Sequence, residues 1–247
     1  MSSGREEFPM RLNRYIALCG EASRRKAEAL ISSGLVTVDG LVERALGRVL
    51  SGGEDVRVDG RAIGVTRSVY MALNKPRGIL SAVSDEHGAT ALDLLPEFYR
   101  NLGLYPVGRL DKDSEGLILM TNDGKFAQSV IHPSSCVKKT YVVFLRYVLD
   151  RKQMMEWSSG VIIDGKLAVP LEIAPEDGYG EGKCFRIVLA EGFKREIRLM
   201  AEAVGNKVDR LLRIGIGRMF LKYLPAGSFR EYNYTELWNM ISNGGEV

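Results

Sequence analysis

The chain has 247 residues, 45% of them apolar, enough for one large core and one small one, and no apolar run approaches the roughly 20 residues of a membrane span. A net charge of +3 and a pI near 8.7 permit a nucleic-acid partner without requiring one. The three cysteines, Cys19, Cys136 and Cys184, are odd in number and widely spaced, which excludes a disulfide framework or zinc-ligand pair and fits a reduced cytoplasm.

Residues 1–9 read as a disordered tail, because Met1-Ser2-Ser3-Gly4-Arg5-Glu6-Glu7 carries two acids and no apolar signal core. Residues 10–62 read as a compact module. Leu12, Tyr15, Ile16 and Cys19 recur at helical spacing, and Gly20 ends that pattern. Ser23 is the expected cap of a second helix that turns Ala27, Leu30 and Ile31 inward and ends at Gly34. Leu35-Val36-Thr37-Val38-Asp39-Gly40 then reads as a short strand with a tight Asp-Gly turn, and Asp55-Val56-Arg57-Val58-Asp59-Gly60 repeats the unit.

Residues 63–68 read as a linker to a second domain, 69–247. Strand-like runs recur there at 69–73, 116–120, 139–144 and 183–189. Helical patterns are expected at Ala91 to Leu95, Lys125 to Ile131, Asp150 to Ser159 and Ile197 to Val204. Strands and helices without regular alternation predict an α+β domain on a mostly antiparallel mixed sheet with flanking helices.

Arg11, Arg14, Arg24, Arg25 and Lys26 cluster on the two leading helices. Charge alone leaves two readings open. The cluster is a solvated face, or it is a phosphate-binding surface in which Arg24-Arg25-Lys26 adds to the positive end of a helix dipole.

The densest chemistry is Gly108-Arg109-Leu110-Asp111-Lys112-Asp113-Ser114-Glu115-Gly116-Leu117, a polar loop running into an apolar strand that ends at Asn122-Asp123-Gly124. Asp111 there is a candidate catalytic carboxylate held by a rigid scaffold. An ordinary turn aspartate is the alternative. Asp113, Glu115 and Asp123 do not suggest paired-carboxylate chemistry. His87 and His132 are the only histidines, and neither has a metal partner at useful spacing. Trp157 and Trp238 read as packing residues. No Walker loop, dinucleotide fingerprint or zinc spacing is present.

Asn74-Lys75-Pro76-Arg77-Gly78 precedes the aspartate loop, Lys138-Lys139-Thr140-Tyr141-Val142 follows it, and Glu191-Gly192-Phe193-Lys194-Arg195-Glu196-Ile197-Arg198-Leu199-Met200 comes later. This set, in this order, resembles the pseudouridine synthases, and within them the RsuA/RluB/RluF type that acts on ribosomal RNA. The leading module, with Arg11-Leu12-Asn13-Arg14-Tyr15-Ile16 and Ser23-Arg24-Arg25, resembles the S4 RNA-binding domain that this type carries. Ser114 stands where Thr is common in the motif, and Leu199 where a second Arg is frequent.

The resemblance implies that Asp111 is the catalytic aspartate, Tyr141 the active-site tyrosine, and Arg198 the cation that pairs with the aspartate. It puts Lys75 and Pro76 in a largely structural motif near the active site, counts Lys75 and Arg109 among the RNA-binding residues with the basic cluster of the leading module, and gives Arg109 a part in RNA distortion or site organisation. It implies a bacterial, cytoplasmic, monomeric enzyme that turns a uridine of ribosomal RNA into pseudouridine without a cofactor. Motif wording favours 23S over 16S rRNA. The other readings are a non-catalytic RNA-binding or ribosome-assembly protein and a carboxylate glycosidase, the last weakened by the want of a second acid.

Overall fold

A computed structural model of the chain describes residues 8–64, 67–176, 182–190, 193 and 195–242. The leading module contains β1 (Met10–Arg11), α1 (Leu12–Leu18), α2 (Arg24–Ser32), β2 (Val36–Val38), β3 (Leu41–Val42), β4 (Val49–Leu50), β5 (Val56–Val58) and β6 (Arg61–Ala62). The Ser23 side chain accepts a hydrogen bond from the Lys26 N–H and caps α2, as the sequence predicts. The expected Asp-Gly turns are present. Asp39 and Gly40 take φ of 50° and 79°, which suits a type I′ turn between the paired strands β2 and β3. Leu12, Ile16, Ala27, Ile31, Val36, Val38, Leu50, Val56 and Val58 form this module's own core. Full burial of one such Leu or Ile stabilises by roughly 1.5–3 kcal/mol. Phe8 packs on this core from its edge. Residues 1–7, assigned to the tail, and 65–66, assigned to the linker, lie outside the described residues.

The larger part contains β7 (Tyr70–Lys75), α3 (Glu97–Arg100), β8 (Tyr105–Val107), β9 (Glu115–Thr121), α4 (Gly124–Ile131), β10 (Lys139–Leu145), α5 (Arg151–Ser159), β11 (Val161–Ile163), β12 (Lys166–Ala168), β13 (Glu172–Pro175), β14 (Cys184–Leu189), α6 (Glu196–Ala203), β15 (Val208–Ile216), β16 (Met219–Phe220), β17 (Phe229–Tyr232) and α7 (Tyr234–Ile241). The main sheet runs β13-β14-β10-β15-β9-β7-β17, with β16 on β15 and β8 on β9. Its pairs are antiparallel except β15 with β9. Met71, Leu73, Ile118 and Met120 point to one face, where Trp157 of α5 and Ile197, Met200 and Ala201 of α6 cover them. Tyr70, Ala72, Leu117 and Leu119 point to the other, under Phe126 of α4 and Leu237 and Ile241 of α7. Helices on both faces explain why these strands are apolar at consecutive positions.

One expected helix is absent. Ala91–Leu95 forms successive turns, with Asp93 and Leu95 donating to the carbonyls of Thr90 and Leu92. Pro96 disfavours helical backbone at Leu95, and the Asp93 carboxylate binds back to the N–H and hydroxyl of Thr90. A short helix follows instead at Glu97–Arg100.

Candidate active site

Asp111 sits in the loop between β8 and β9, and that loop is tied down on both sides of it. Ser81 Oγ accepts from the Leu110 N–H at 3.0 Å and donates to its carbonyl at 2.8 Å. The Gly78 N–H donates to the Lys112 carbonyl at 2.7 Å, and the Ser114 N–H closes a turn onto the Asp111 carbonyl at 3.0 Å. Gly116 then crosses β15 so closely that a Cβ would lie 2.2 Å from the Arg213 carbonyl oxygen, at a φ of +105°. That contact explains a glycine five residues after the aspartate.

Asp111, Arg109, Ser114, Tyr141, Phe193 and Arg195 line a pocket of about 360 Å³. Tyr141 is on β10, opposite Ile187 of β14 and Arg213 of β15. It is 9% exposed and belongs to the core cluster as well as the pocket wall. Tyr141 thus packs in the core and also presents a surface to the pocket. Arg109 is exposed at the pocket lip. The Ser114 hydroxyl is buried and has no hydrogen-bond partner among the described residues.

The expected direct pair between Arg198 and Asp111 is not the one formed. Arg198 Nη2 lies 2.9 Å from Asp113 Oδ2, and its Nη1 donates to the Val208 carbonyl at 3.1 Å. Arg195 is the cation beside Asp111, at 3.9 Å, and it stands 4.0 Å from Asp113. The reason is positional. Arg198 is in the first turn of α6 and buried beneath the site, whereas Arg195 caps the helix and is exposed. Burial pulls the Arg198 guanidinium below its ordinary pKa, while the Asp113 carboxylate acts in the opposite direction.

Of the two expectations for Lys75, a largely structural motif and RNA binding, burial agrees with the first and not the second: the residue is 0% exposed, on a strand that lies between β9 and β17 in the sheet. Its Nζ donates to the carbonyls of Pro76 at 3.0 Å and Ile79 at 2.7 Å. Burial pulls its ammonium down to about 8. Lys75 therefore shapes the turn that is bonded to the Asp111 loop.

In the leading module, Arg11, Arg24, Arg25 and Lys26 are exposed and Arg14 is half-buried. Arg14, Arg24 and Lys26 line a cleft of about 1060 Å³ against Arg100, Lys125 and His132 of the larger part. Gly20 and Gly103 meet beside it, and a Cβ on Gly103 would lie 2.9 Å from the Gly20 Cα. Arg11 and Arg25 are not among the cleft residues.

Other readings can be placed. His132 ends α4, and its Nδ1 meets the Ser134 hydroxyl. Asp123 caps α4 through the N–H groups of Lys125 and Phe126. Glu115 forms a two-point pair with Arg210. Among the described residues, no group of three His, Cys, Asp or Glu side chains could hold a metal, and no helix is long and apolar enough to cross a membrane. Of the late motif, Glu191, Gly192 and Lys194 lie outside the described residues. Sequence reasoning passed over Phe193 and Arg195. The signal for Arg195 was present: it stands three residues before Arg198 in the same motif.

Residues 69–203 match the family model described as RNA pseudouridylate synthase, and residues 10–56 match the S4 domain. The chain is 36% identical over 225 residues to the ribosomal large subunit pseudouridine synthase B of Bacillus subtilis (strain 168), covering 90% of this chain and 91% of that one. It is 42% identical over 240 residues to an uncharacterized RNA pseudouridine synthase of Mycobacterium leprae (strain TN), covering 96% and 94%. A crystal structure of a pseudouridylate synthase superposes with a TM-score of 0.67 at 24% identity, covering 94% of this chain and 100% of that one, which shows a shared fold.

Proposed function

The chain belongs to the RNA pseudouridylate synthase family, and from that premise we propose that it isomerises one uridine, or two adjacent ones, in a structured stem-loop of 23S ribosomal RNA. The name of the Bacillus relative refers to the large ribosomal subunit. The observation that carries the reading is the convergence of Asp111, Tyr141, Arg109 and Arg195 on one pocket of about 360 Å³.

The isomerisation breaks the N1–C1′ bond, turns the base and rejoins it through C5; C5 loses its proton and N1 gains one, so atoms and electrons balance. It needs no redox change and no group from outside. We assign the catalytic carboxylate to Asp111, which attacks the sugar or base or removes a sugar proton. Arg195 stands 3.9 Å from that carboxylate. Tyr141 offers a flat ring for the base and a hydroxyl at its edge. Arg109 at the lip helps hold the distorted strand. Arg198 acts at one remove by fixing Asp113 and the turn. Extracting the uridine costs a few kcal/mol, and phosphate contacts from Arg11, Arg14, Arg24, Arg25 and Lys26 of the S4-like module, residues 10–62, offset it. The catalytic domain, 69–247, works in this reading as part of a cytoplasmic monomer.

Purified protein added to unmodified 16S and 23S transcripts, without additive, tests the reading. Carbodiimide treatment and primer extension are expected to locate pseudouridine at one structured 23S site. Asp111→Ala is expected to reduce the product to background while leaving the melting profile and RNA affinity near wild type. Product in 16S alone would reverse the choice of subunit, and wild-type turnover in Asp111→Ala would remove the aspartate from the chemistry.

A further inference from the structure

Beside the Asp111 pocket lies a smaller hollow of about 210 Å³, where Arg77, Arg146, Arg195, Arg198 and Lys207 face three carboxylates. Two of those carboxylates are already engaged: Asp113 with Arg198 at 2.9 Å and Asp209 with Arg146 at 2.7 Å. The third, Glu202, is exposed. The side chains of Arg77 and Lys207 have no hydrogen bond or ion pair among the described residues. Arg198 Nε is buried and also lacks a partner. Cations thus gather in a partly enclosed space without enough anions to balance them, which is the electrostatic form of a site for an anion.

The position of the hollow identifies the anion. Arg195 forms a wall common to it and to the Asp111 pocket. An occupant that reaches both carries a base on one side and a negative charge on the other. Arg77 is also fixed relative to Asp111. It lies in the turn held by Lys75 Nζ on the Pro76 and Ile79 carbonyls, and the adjacent Gly78 N–H is bonded to Lys112 in the aspartate loop. A group bound by Arg77 is therefore placed against Asp111 through a short, rigid path.

We propose that this hollow is a phosphate subsite that grips the RNA backbone next to the nucleotide whose base enters the Asp111 pocket, with Arg77 and Lys207 as its dedicated cations. The proposal rests on the reading that the pocket takes a uridine of RNA. It adds a second anchor, inside the catalytic domain, to the contacts of the leading module.

The test is binding of a fluorescein-labelled, uridine-containing 23S stem-loop to the full chain, followed by anisotropy over a series of KCl concentrations. Arg77→Ala and Lys207→Ala should each make the plot of log Kd against log salt shallower by about one unit. Arg77→Lys should retain the wild-type slope. Lys152→Ala, which removes an exposed partner of Glu156, should leave the slope unchanged. A neutral methylphosphonate scanned through the loop should weaken wild-type binding at each gripped linkage, and at one of them, beside the target uridine, it should have no added effect in the Arg77→Ala/Lys207→Ala double variant. Unchanged slopes in both single variants, or an equal added loss at every linkage in the double variant, would overturn the subsite. Affinity is read separately from turnover: pseudouridine with unchanged slopes sinks the subsite alone, and altered slopes without pseudouridine in either rRNA sink the functional reading alone.

Discussion

Removing the Arg198 guanidinium would leave the Asp113 carboxylate without its 2.9 Å partner and the Val208 carbonyl without its side-chain donor. Arg198→Ala is therefore expected to destabilise the fold by about 2 kcal/mol and to cut turnover, because the turn that carries Asp111 loses its brace. Asp113→Asn should reproduce part of both losses, read by urea denaturation and tritium release from labelled uridine. Equal stability of Arg198→Ala and wild type would contradict the bracing role. Lys75 has a different signature. Its ammonium is pulled from 10.5 to about 8 by burial, so between those values the unfolded chain holds a proton that the folded chain has released. Stability then rises with pH through that window, by at most about 1.4 kcal/mol per pH unit. Below about 8 both states are protonated and the penalty of the buried charge is complete. The neutral amine still has two N–H groups for the carbonyls of Pro76 and Ile79. The urea midpoint of wild type should rise relative to Lys75→Met between pH 8 and 10, and a constant difference would refute the assignment.

The strands β9 and β15 meet in the sheet's parallel pairing, at Leu212 with Glu115 and Arg213 with Gly116. Gly116→Ala places a methyl carbon 2.2 Å from the Arg213 carbonyl oxygen at a φ of +105°, so the pair has to separate. A loss of about 3 kcal/mol or more is expected, with reduced turnover because Asp111 is five residues away. A melting temperature within error of wild type would show that the pair yields without cost. At this scale the sequence spoke clearly where one signal acted alone. Ser23 capped α2 as read, and the Asp39-Gly40 pair made its turn. It misled at Ala91–Leu95, where apolar spacing suited a helix but Pro96 and the Asp93 carboxylate favoured turns. The same residues still bury Ala91, Leu92 and Leu95 in the core, so the spacing reported burial correctly and conformation wrongly.

In the whole molecule, the core of Leu12, Ile16, Ile31 and Val56 is separate from the clusters on the two faces of the main sheet. Deletion of residues 1–66 is accordingly expected to leave a folded, monomeric catalytic fragment with lower affinity for long RNA and a shallower salt dependence. An insoluble fragment, or one without a cooperative melt, would show that the contact of Gly20 with Gly103 is part of a shared core. The sequence by itself determined the family, the order of the two modules and the identity of Asp111 as the residue to watch, because a run such as Gly108-Arg109-Leu110-Asp111 is local and keeps its meaning in one dimension. It also held Arg195 and Arg198 at helical spacing without saying which would face Asp111. Tertiary structure decided that. The helix start at Arg195 and the burial of Arg198 set the two guanidinium groups at different depths. It also decided that the buried Lys75 faces two carbonyls and that Arg77 meets Lys207 across a hollow. Charge, depth and partner depend on which distant strands become neighbours, and strand neighbours are chosen by the burial of whole faces, which no single motif encodes.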